Sequence, residues 1–190
     1  MDLGLLLLRL ALAAILYMHA MQKLRGWFSG AGLEKQAQVF HNMGHRPGRQ
    51  MVILASACEL TGSALIALGL ITPLGAAILA GTMAVAGGTL TLAKGTFWNL
   101  LGGGEYPLAL AGVAVVLGFT GPGAWSVDSA LGLSWAQGSN GTGAITGVIV
   151  LVVAALAAGA SLRRARSALR PAAAPEAAEA APPAAGASEG

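Results

Sequence analysis

The sequence predicts an all-α polytopic membrane protein. Several stretches of about twenty residues are almost entirely apolar, and that is the length an α-helix needs to cross about 30 Å of hydrocarbon. The chain has 190 residues, of which 55% are hydrophobic and only 10% are charged. A soluble domain of this composition would expose too much apolar surface to water. Lipid is therefore the expected solvent.

Four segments carry this pattern in full, and a further one, residues 107–119, is short unless its flanking residues contribute. The first lacks the basic start and the small-residue cleavage site of a secretory signal, so we expect it to be retained as a helix. Thr72-Pro73 marks a tight turn between the second and third segments, which should form an antiparallel helical hairpin. The expected spans cover residues 3–21, 51–71, 74–93, 107–119 and 143–162.

The basic residues outside the spans favour one orientation. Lys and Arg in short loops are retained on the cytoplasmic side of a membrane. With five spans, all of these residues fall on the same side as the C-terminus, whereas the loop holding Asp128 falls on the other side with the N-terminus. We therefore expect the N-terminus outside and the C-terminus in the cytoplasm. The basic residues are Lys23, Arg25, Lys35, Arg46, Arg49, Lys94, Arg163, Arg164, Arg166 and Arg170.

Three ionisable residues lie inside the predicted spans: Arg9, His19 and Glu59. Charge is costly in hydrocarbon, so we expect Arg9 and Glu59 to pair across facing helices. One interpretation is a structural ion pair that fixes the register of the helices. The other is a proton or quinone site in which Glu59 titrates, His19 relays the proton and Arg9 holds the charge.

The end of the first span carries a second polar group. His19 and Lys23 are four residues apart and so share one helix face. They could bind a polar headgroup near the cytoplasmic interface. Alternatively, Lys23 is an ordinary interfacial anchor that accompanies the aromatic residues Trp27 and Phe28.

The remaining histidines and the single cysteine do not predict a metal site. His41 and His45 have a spacing that suits a metal on a helix, but Gly44 and Pro47 interrupt any helix there. We therefore expect solvated loop histidines. Cys58 has no partner for an internal disulfide and is expected to be a small buried hydrophobe.

The segment 94–107 is rich in glycine and aromatic residues. Three successive glycines precede Glu105 and Tyr106 and allow backbone turns that other residues avoid. We expect a structured loop that places a carboxylate and a phenol at the inner mouth of the bundle. The alternative is a flexible interfacial loop with aromatic anchors.

An ordered series of short motifs resembles the DoxX family of small bacterial membrane proteins over residues 3–132. These motifs are Leu8-Arg9, the exit segment from His19 to Phe28, Glu59-Leu-Thr-Gly62, Lys94-Gly95, Gly104-Glu105-Tyr106-Pro107, Gly121-Pro122-Gly123 and Ser126-Val-Asp128. The resemblance implies a four-helix transmembrane core in a bacterial cell membrane. Many relatives carry a histidine where this chain has Thr91, which weakens any inference of a metal or haem site.

The resemblance divides the chain into a core and additions. Residues 1–132 would form the four-helix membrane core, and residues 133–142 a polar loop. Residues 143–163 would add a fifth, C-terminal transmembrane helix. Residues 164–190 would be a basic, then Ala- and Pro-rich cytoplasmic tail, disordered from Pro171 onward because it has too few large apolar groups to fold.

The DoxX family is similar to DoxD, the membrane subunit of a thiosulfate:quinone oxidoreductase. The resemblance therefore implies a subunit of a quinone- or thiol-linked redox or oxidative-stress complex with soluble redox partners. Glu59 and His19 are the candidates for proton transfer at the catalytic site. The candidates for a quinone or headgroup site are Arg9, Lys23, Glu105 and Tyr106.

A hypothesis of a different class is a membrane scaffold without enzymatic activity. Its basic cytoplasmic surface would recruit soluble proteins. Nucleic acid is not an expected partner, because no arginine-rich stripe is interleaved with aromatic residues. The sequence leaves a homo-oligomer open.

Overall fold

The computed structural model describes residues 1–136 and 140–169, and within these ranges the chain is helical with no β-strand. Five of its helices coincide with the predicted spans. The helices are α1 (Asp2–Arg25), α2 (Gly32–Asn42), α3 (Gly48–Leu68), α4 (Thr72–Lys94), α5 (Glu105–Thr120), α6 (Val127–Ala130) and α7 (Asn140–Leu169), with 3₁₀ turns at Asn99–Leu101 and Ser134–Ala136.

Four of these helices, α1, α3, α4 and α7, are long and apolar enough to cross a membrane. Helix α5 is apolar but shorter. Its 16 residues extend over about 24 Å, less than the full thickness of the hydrocarbon core. The chain is therefore an all-α polytopic membrane protein, and the predicted fold class is confirmed.

Helix α4 lies at the centre of the bundle. It packs against α3, α5 and α7, and α1 packs against α3 on the far side. The buried core includes residues from α7 as well as from the first four spans, so the fifth helix shares one core with the others. Its members include Leu12, Leu16, Ile66, Leu79, Leu110, Leu117, Val150 and Ala154.

Glycines set the close approach of α5 and α7. A Cβ atom at Gly147 would overlap the ring of Phe119, and one at Gly143 would lie 2.6 Å from the Phe119 carbonyl oxygen. Thr146, between them, donates a hydrogen bond to the carbonyl oxygen of Gly118 at 2.9 Å. Small residues let helices approach closely in lipid, and here they serve packing within the chain.

The two ends of the bundle differ in charge. We call the end formed by the C-termini of α1, α4 and α7 the basic end, and the other the opposite end. The opposite end carries Asp2 and Asp128. The exposed basic residues of the basic end are Arg25, Lys35, Arg46, Arg49, Lys94, Arg163, Arg164 and Arg166.

Helix α2 was not predicted. The sequence indicated a loop between the first two spans, but Gly32–Asn42 forms an amphipathic helix that packs against α3. Leu33, Ala37 and Phe40 are half-buried on one face of it, whereas the polar residues Glu34 and Lys35 are exposed. The helix is too short and too polar to have a transmembrane signature.

Helix α7 is longer than the predicted fifth span. It continues through the basic residues to Leu169, so the first part of the predicted tail is helical. Residues 137–139 of the predicted polar loop and residues 170–190 of the predicted tail lie outside the described residues.

Candidate functional site

A buried ion pair joins α1 and α3. Glu59 lies near the middle of α3, and its side chain is 1% exposed, whereas that of Lys23 is 19% exposed. Lys23 Nζ donates a hydrogen bond to Glu59 Oε1. Glu59 Oε2 is also buried and has no hydrogen-bond partner among the described residues. A buried carboxylate needs a partner for each oxygen, so Lys23 meets only half of this requirement.

His19 and Tyr106 extend this pair towards α5. The ring centroids of His19 and Tyr106 are 5.8 Å apart in an edge-to-face arrangement. His19 Nδ1 lies 3.0 Å from Gln22 Oε1, and because an amide oxygen only accepts, Nδ1 donates. His19 is also close enough to Glu59 to interact with its charge. Of the six predicted site residues, the structure thus brings together four: His19, Lys23, Glu59 and Tyr106.

The predicted pair of Arg9 and Glu59 is wrong. Arg9 lies about four helical turns before Lys23 on α1, or about 21 Å away along the helix axis. Its Nη2 donates to the carbonyl oxygen of Trp125 at the opposite end. The cost of charge in hydrocarbon does not fix the register of α1 on α3, and in the actual register Lys23 is the cation beside Glu59.

Arg9 instead belongs to a cluster that fastens the segment after α5. The buried carboxylate of Asp128 accepts hydrogen bonds from the backbone N–H of Ile71 at 2.6 Å and of Thr72 at 2.8 Å. Trp135 Nε1 donates to it at 3.0 Å. A carboxylate at the N-terminus of α4 also complements the helix dipole. This arrangement is structural, and its signals in the sequence were Leu8-Arg9 and Ser126-Val-Asp128.

Glu105 serves the loop that precedes α5. Its Oε2 accepts a hydrogen bond from the backbone N–H of Asn99 at 2.9 Å. Its own N–H donates to the carbonyl oxygen of Phe97 at 2.9 Å. The prediction of a structured loop is confirmed, but the carboxylate is used within that loop.

A cavity of about 540 Å³ lies beside the ion pair, between α3, α4 and α7. We call it the α4 groove, because one continuous face of α4 forms its floor. Most of its lining is apolar, and its polar side chains lie between its middle, where Glu59 is, and the basic end. The floor comprises Leu74, Ala77, Ile78, Gly81, Thr82, Val85, Ala86, Thr89 and Leu90, and the polar residues between the middle and the basic end include Lys23, Gln36, His45, Glu59 and Thr89.

His45 also lines the groove, and the expectation that it is a solvated loop residue is wrong. Its Nε2 lies 2.8 Å from Thr89 Oγ1 of α4, and its ring centroid lies 5.9 Å from that of Phe40. Burial lowers the pKa of the His45 imidazole below its ordinary value of 6.5. The missed helix α2 explains the error, because the segment after it folds back onto α4.

Neither a disulfide nor a metal site is present in residues 1–136 and 140–169. Cys58 is free, half-buried and part of the groove wall next to Glu59. Within residues 1–136 and 140–169, no three His, Cys, Asp or Glu side chains lie together as metal ligands would.

Comparison with known proteins gives one match. No curated protein and no solved structure matches the chain. The family model for DoxX matches residues 4–92, which include Arg9, His19, Lys23 and Glu59. Residues 4–92 thus form a DoxX domain, and the apolar helices show that the chain is an integral membrane protein.

Proposed function

We propose that the chain is a quinone-binding membrane subunit of a redox complex, and that the quinone ring binds beside Lys23 and Glu59. One observation carries this proposal. Glu59 Oε2 is buried without a hydrogen-bond partner among the described residues, and Glu59 lines the α4 groove. A ligand that offers a hydroxyl group there would complete the hydrogen bonding of the carboxylate.

The two residues of the pair suit the two forms of a quinone. Reduction of a quinone to a quinol takes two electrons and two protons. Lys23 Nζ is a donor for a quinone carbonyl oxygen, and its charge stabilises negative charge that develops on that oxygen. Glu59 is positioned to transfer both protons in turn, taking up a new proton from the basic end before each transfer. The electrons come from a soluble redox partner.

His19 offers a path for protons between Glu59 and water. Its ring contacts that of Tyr106, which is 40% exposed at the start of α5. His19 is in turn one helical turn from Lys23. In this proposal His19 carries protons between the basic end and the buried carboxylate, and Tyr106 holds the His19 ring in position.

The same proposal places the protein in a bacterial cell membrane with its basic end in the cytoplasm. The exposed Lys and Arg side chains of the described residues all lie at that end. Basic residues close to the membrane are retained on the cytoplasmic side. The N-terminus would then lie outside, and protons would reach Glu59 from the cytoplasm.

The test compares quinone retention in three proteins purified in mild detergent. These are the unaltered chain, Glu59→Gln and the control Glu34→Gln, whose exposed carboxylate pairs with Arg49 on the surface. Extracts are analysed for quinones by mass spectrometry, and gel filtration checks folding. We expect quinone in the unaltered chain and in Glu34→Gln, and at least tenfold less in Glu59→Gln.

Two results would contradict the proposal. Equal retention of quinone in Glu59→Gln and Glu34→Gln would show that Glu59 is not part of the binding site. Absence of quinone from repeated preparations of the unaltered chain would show that the ligand is not a quinone.

The scaffold hypothesis is supported by a separate observation. Lys35, Arg46 and Arg49 are exposed together around α2 and the start of α3. If this surface recruits soluble proteins, neutralising all three residues should abolish their recovery, whereas Glu59→Gln should leave it unchanged. Recovery that is unchanged by the triple neutralisation but lost in Glu59→Gln would favour the redox site.

A further inference from the structure

We infer that the α4 groove holds the isoprenoid chain of the quinone, that the quinone enters sideways from the bilayer, and that Ala157 of α7 sets the width available to the chain. This inference rests on the proposed function and names the class of ligand that the site takes. It therefore excludes water-soluble quinones without a chain as the natural substrate.

The length of the groove favours an extended ligand. Its floor on α4 extends from Leu74 to Leu90, which corresponds to about 24 Å along the helix axis. That is most of the thickness of the hydrocarbon core. A quinone ring alone would occupy only a small part of this length.

Small residues make the groove narrow and continuous. Ala77 and Gly81 lie on its floor, Ala55 on its α3 wall and Ala157 on its α7 wall. A Cβ atom at Gly81 would lie 3.6 Å from the Ala157 Cβ atom, which is an ordinary contact distance. The floor and the α7 wall are therefore almost in contact here. A volume of about 540 Å³ suits one chain, whereas a phospholipid brings two.

The distribution of polarity orients the ligand. Glu59 lies near the middle of the groove, Lys23, His45 and Thr89 lie on its basic-end side, and the rest of the lining is mostly apolar. The unpartnered Glu59 Oε2 is a hydrogen-bond acceptor in this polar part. A quinone ring suits it because its reduced form donates hydroxyl groups. A lipid phosphate would instead meet a carboxylate of like charge.

The exposure of the walls indicates the entrance. Leu54, Leu74 and Val153 line the groove and are 55%, 49% and 45% exposed. In a membrane these side chains face lipid, so the groove opens sideways to hydrocarbon. At the basic end, Phe40 and Met43 of the α2 region line it, and His45 Nε2 lies 2.8 Å from Thr89 Oγ1.

The experiment uses a matched pair of variants on α7. Ala157 and Ala155 are both exposed, but only Ala157 lines the groove. Ala157→Phe therefore narrows the groove, whereas Ala155→Phe adds the same side chain to another face of the helix. Binding of decylubiquinone, and of the same quinone ring without its chain, is measured for the two variants and the unaltered chain in detergent.

We expect Ala157→Phe to bind decylubiquinone at least tenfold more weakly than Ala155→Phe, which should match the unaltered chain. The ring without the chain should bind all three proteins equally. If Ala157→Phe does not fold, Ala157→Leu and Ala155→Leu replace the pair, because leucine is smaller and suits both lipid and helix.

The outcomes separate the two proposals. Equal binding of decylubiquinone to the two variants would overturn the inference about the groove and leave the ring site in place. The same conclusion follows if the unaltered protein binds decylubiquinone no more tightly than the quinone ring without its chain. Failure of the unaltered protein to bind either compound would overturn the proposed function and this inference with it.

Discussion

At the scale of single residues, the contact between Lys23 and Glu59 has the largest energetic consequence. Glu59 is 1% exposed near the middle of a helix that crosses the membrane. Lys23 lies near the end of α1, where a long side chain can reach inward while its backbone remains near the interface. An uncompensated carboxylate in this position would be far more costly than the paired one.

Replacement of Lys23 by methionine should therefore destabilise the protein strongly. We expect Lys23→Met to lower the free energy of unfolding by about 3 kcal/mol, because it leaves a buried charge without a partner. The control Lys35→Met removes an exposed lysine from α2 and should change the free energy of unfolding little. Unfolding of the three proteins in mixed detergent micelles measures the difference.

The double variant Lys23→Met, Glu59→Met distinguishes a lost contact from an isolated charge. It should recover most of the stability lost in Lys23→Met, since no charge then remains in the interior. A double variant as unstable as the single one would show that packing of the lysine side chain, rather than the unpaired carboxylate, causes the loss.

At the scale of the elements, two glycines end helices in the same left-handed conformation but in different surroundings. Gly69 follows α3 with φ of 61°, and Gly95 follows α4 with φ of 65°. A Cβ atom at Gly69 would overlap Arg9 Nη1, whereas one at Gly95 would meet no atom within 4 Å. Gly69 also accepts a hydrogen bond from the backbone N–H of Asp128 at 2.8 Å.

Gly69→Ala should consequently be more harmful than Gly95→Ala. Both variants incur about 1 kcal/mol for a left-handed alanine. Gly69→Ala must also displace the Arg9 guanidinium from Trp125, so we expect a total loss of stability at least twice as large. Thermal unfolding of both variants compares them directly, and equal losses would mean that Arg9 contributes nothing to fastening this end.

The segment after α2 separates two cavities. The α4 groove and a second cavity of about 550 Å³ at the basic end share Met43 and Thr89 in their linings. His45 adds its hydrogen bond to Thr89 at the same point. The half-buried imidazole of His45 therefore lies at the boundary between the two cavities.

The pH dependence of stability should reveal this imidazole. Burial lowers the pKa of His45 below 6.5. As the pH falls below that value, the unfolded chain takes up a proton that the folded chain resists, so the folded state loses stability. The ionisation of His45 should therefore lower the thermal midpoint below pH 6.5 and leave it unchanged above pH 6.5.

His45→Gln should remove this part of the pH dependence, whereas His41→Gln, which alters an exposed histidine of α2, should retain it. Thermal unfolding on both sides of pH 6.5 provides the comparison. A His45→Gln profile that follows the unaltered one would assign the acid sensitivity to other groups.

At the scale of the whole molecule, hydropathy was sufficient to locate the transmembrane helices, because each is a continuous apolar segment. The contacts between helices depend on register, which hydropathy does not contain. Without the register, the sequence predicted that Arg9 pairs with Glu59, whereas Lys23 is the cation that contacts Glu59. Helix α2 was missed because an eleven-residue amphipathic helix resembles a polar loop, and the burial of His45 was missed with it.

The separation of charge between the two ends predicts how the whole bundle sits in the membrane. Gln38 is exposed on α2 at the basic end, and Ala130 is exposed on α6 at the opposite end. The chain contains a single cysteine, Cys58. A Cys58→Ser background therefore allows one labelling site to be introduced at either end.

We expect a membrane-impermeant maleimide to label Ala130→Cys on intact bacterial cells and to label Gln38→Cys only after the cells are permeabilised. The physical reason is that exposed Lys and Arg side chains hold the basic end in the cytoplasm. Labelling of Gln38→Cys but not Ala130→Cys on intact cells would invert the orientation, and Glu59 would then draw its protons from outside. Labelling of both sites on intact cells would mean that the segment between α2 and α6 crosses the membrane an even number of times, contrary to a bundle in which α3, α4 and α5 all cross.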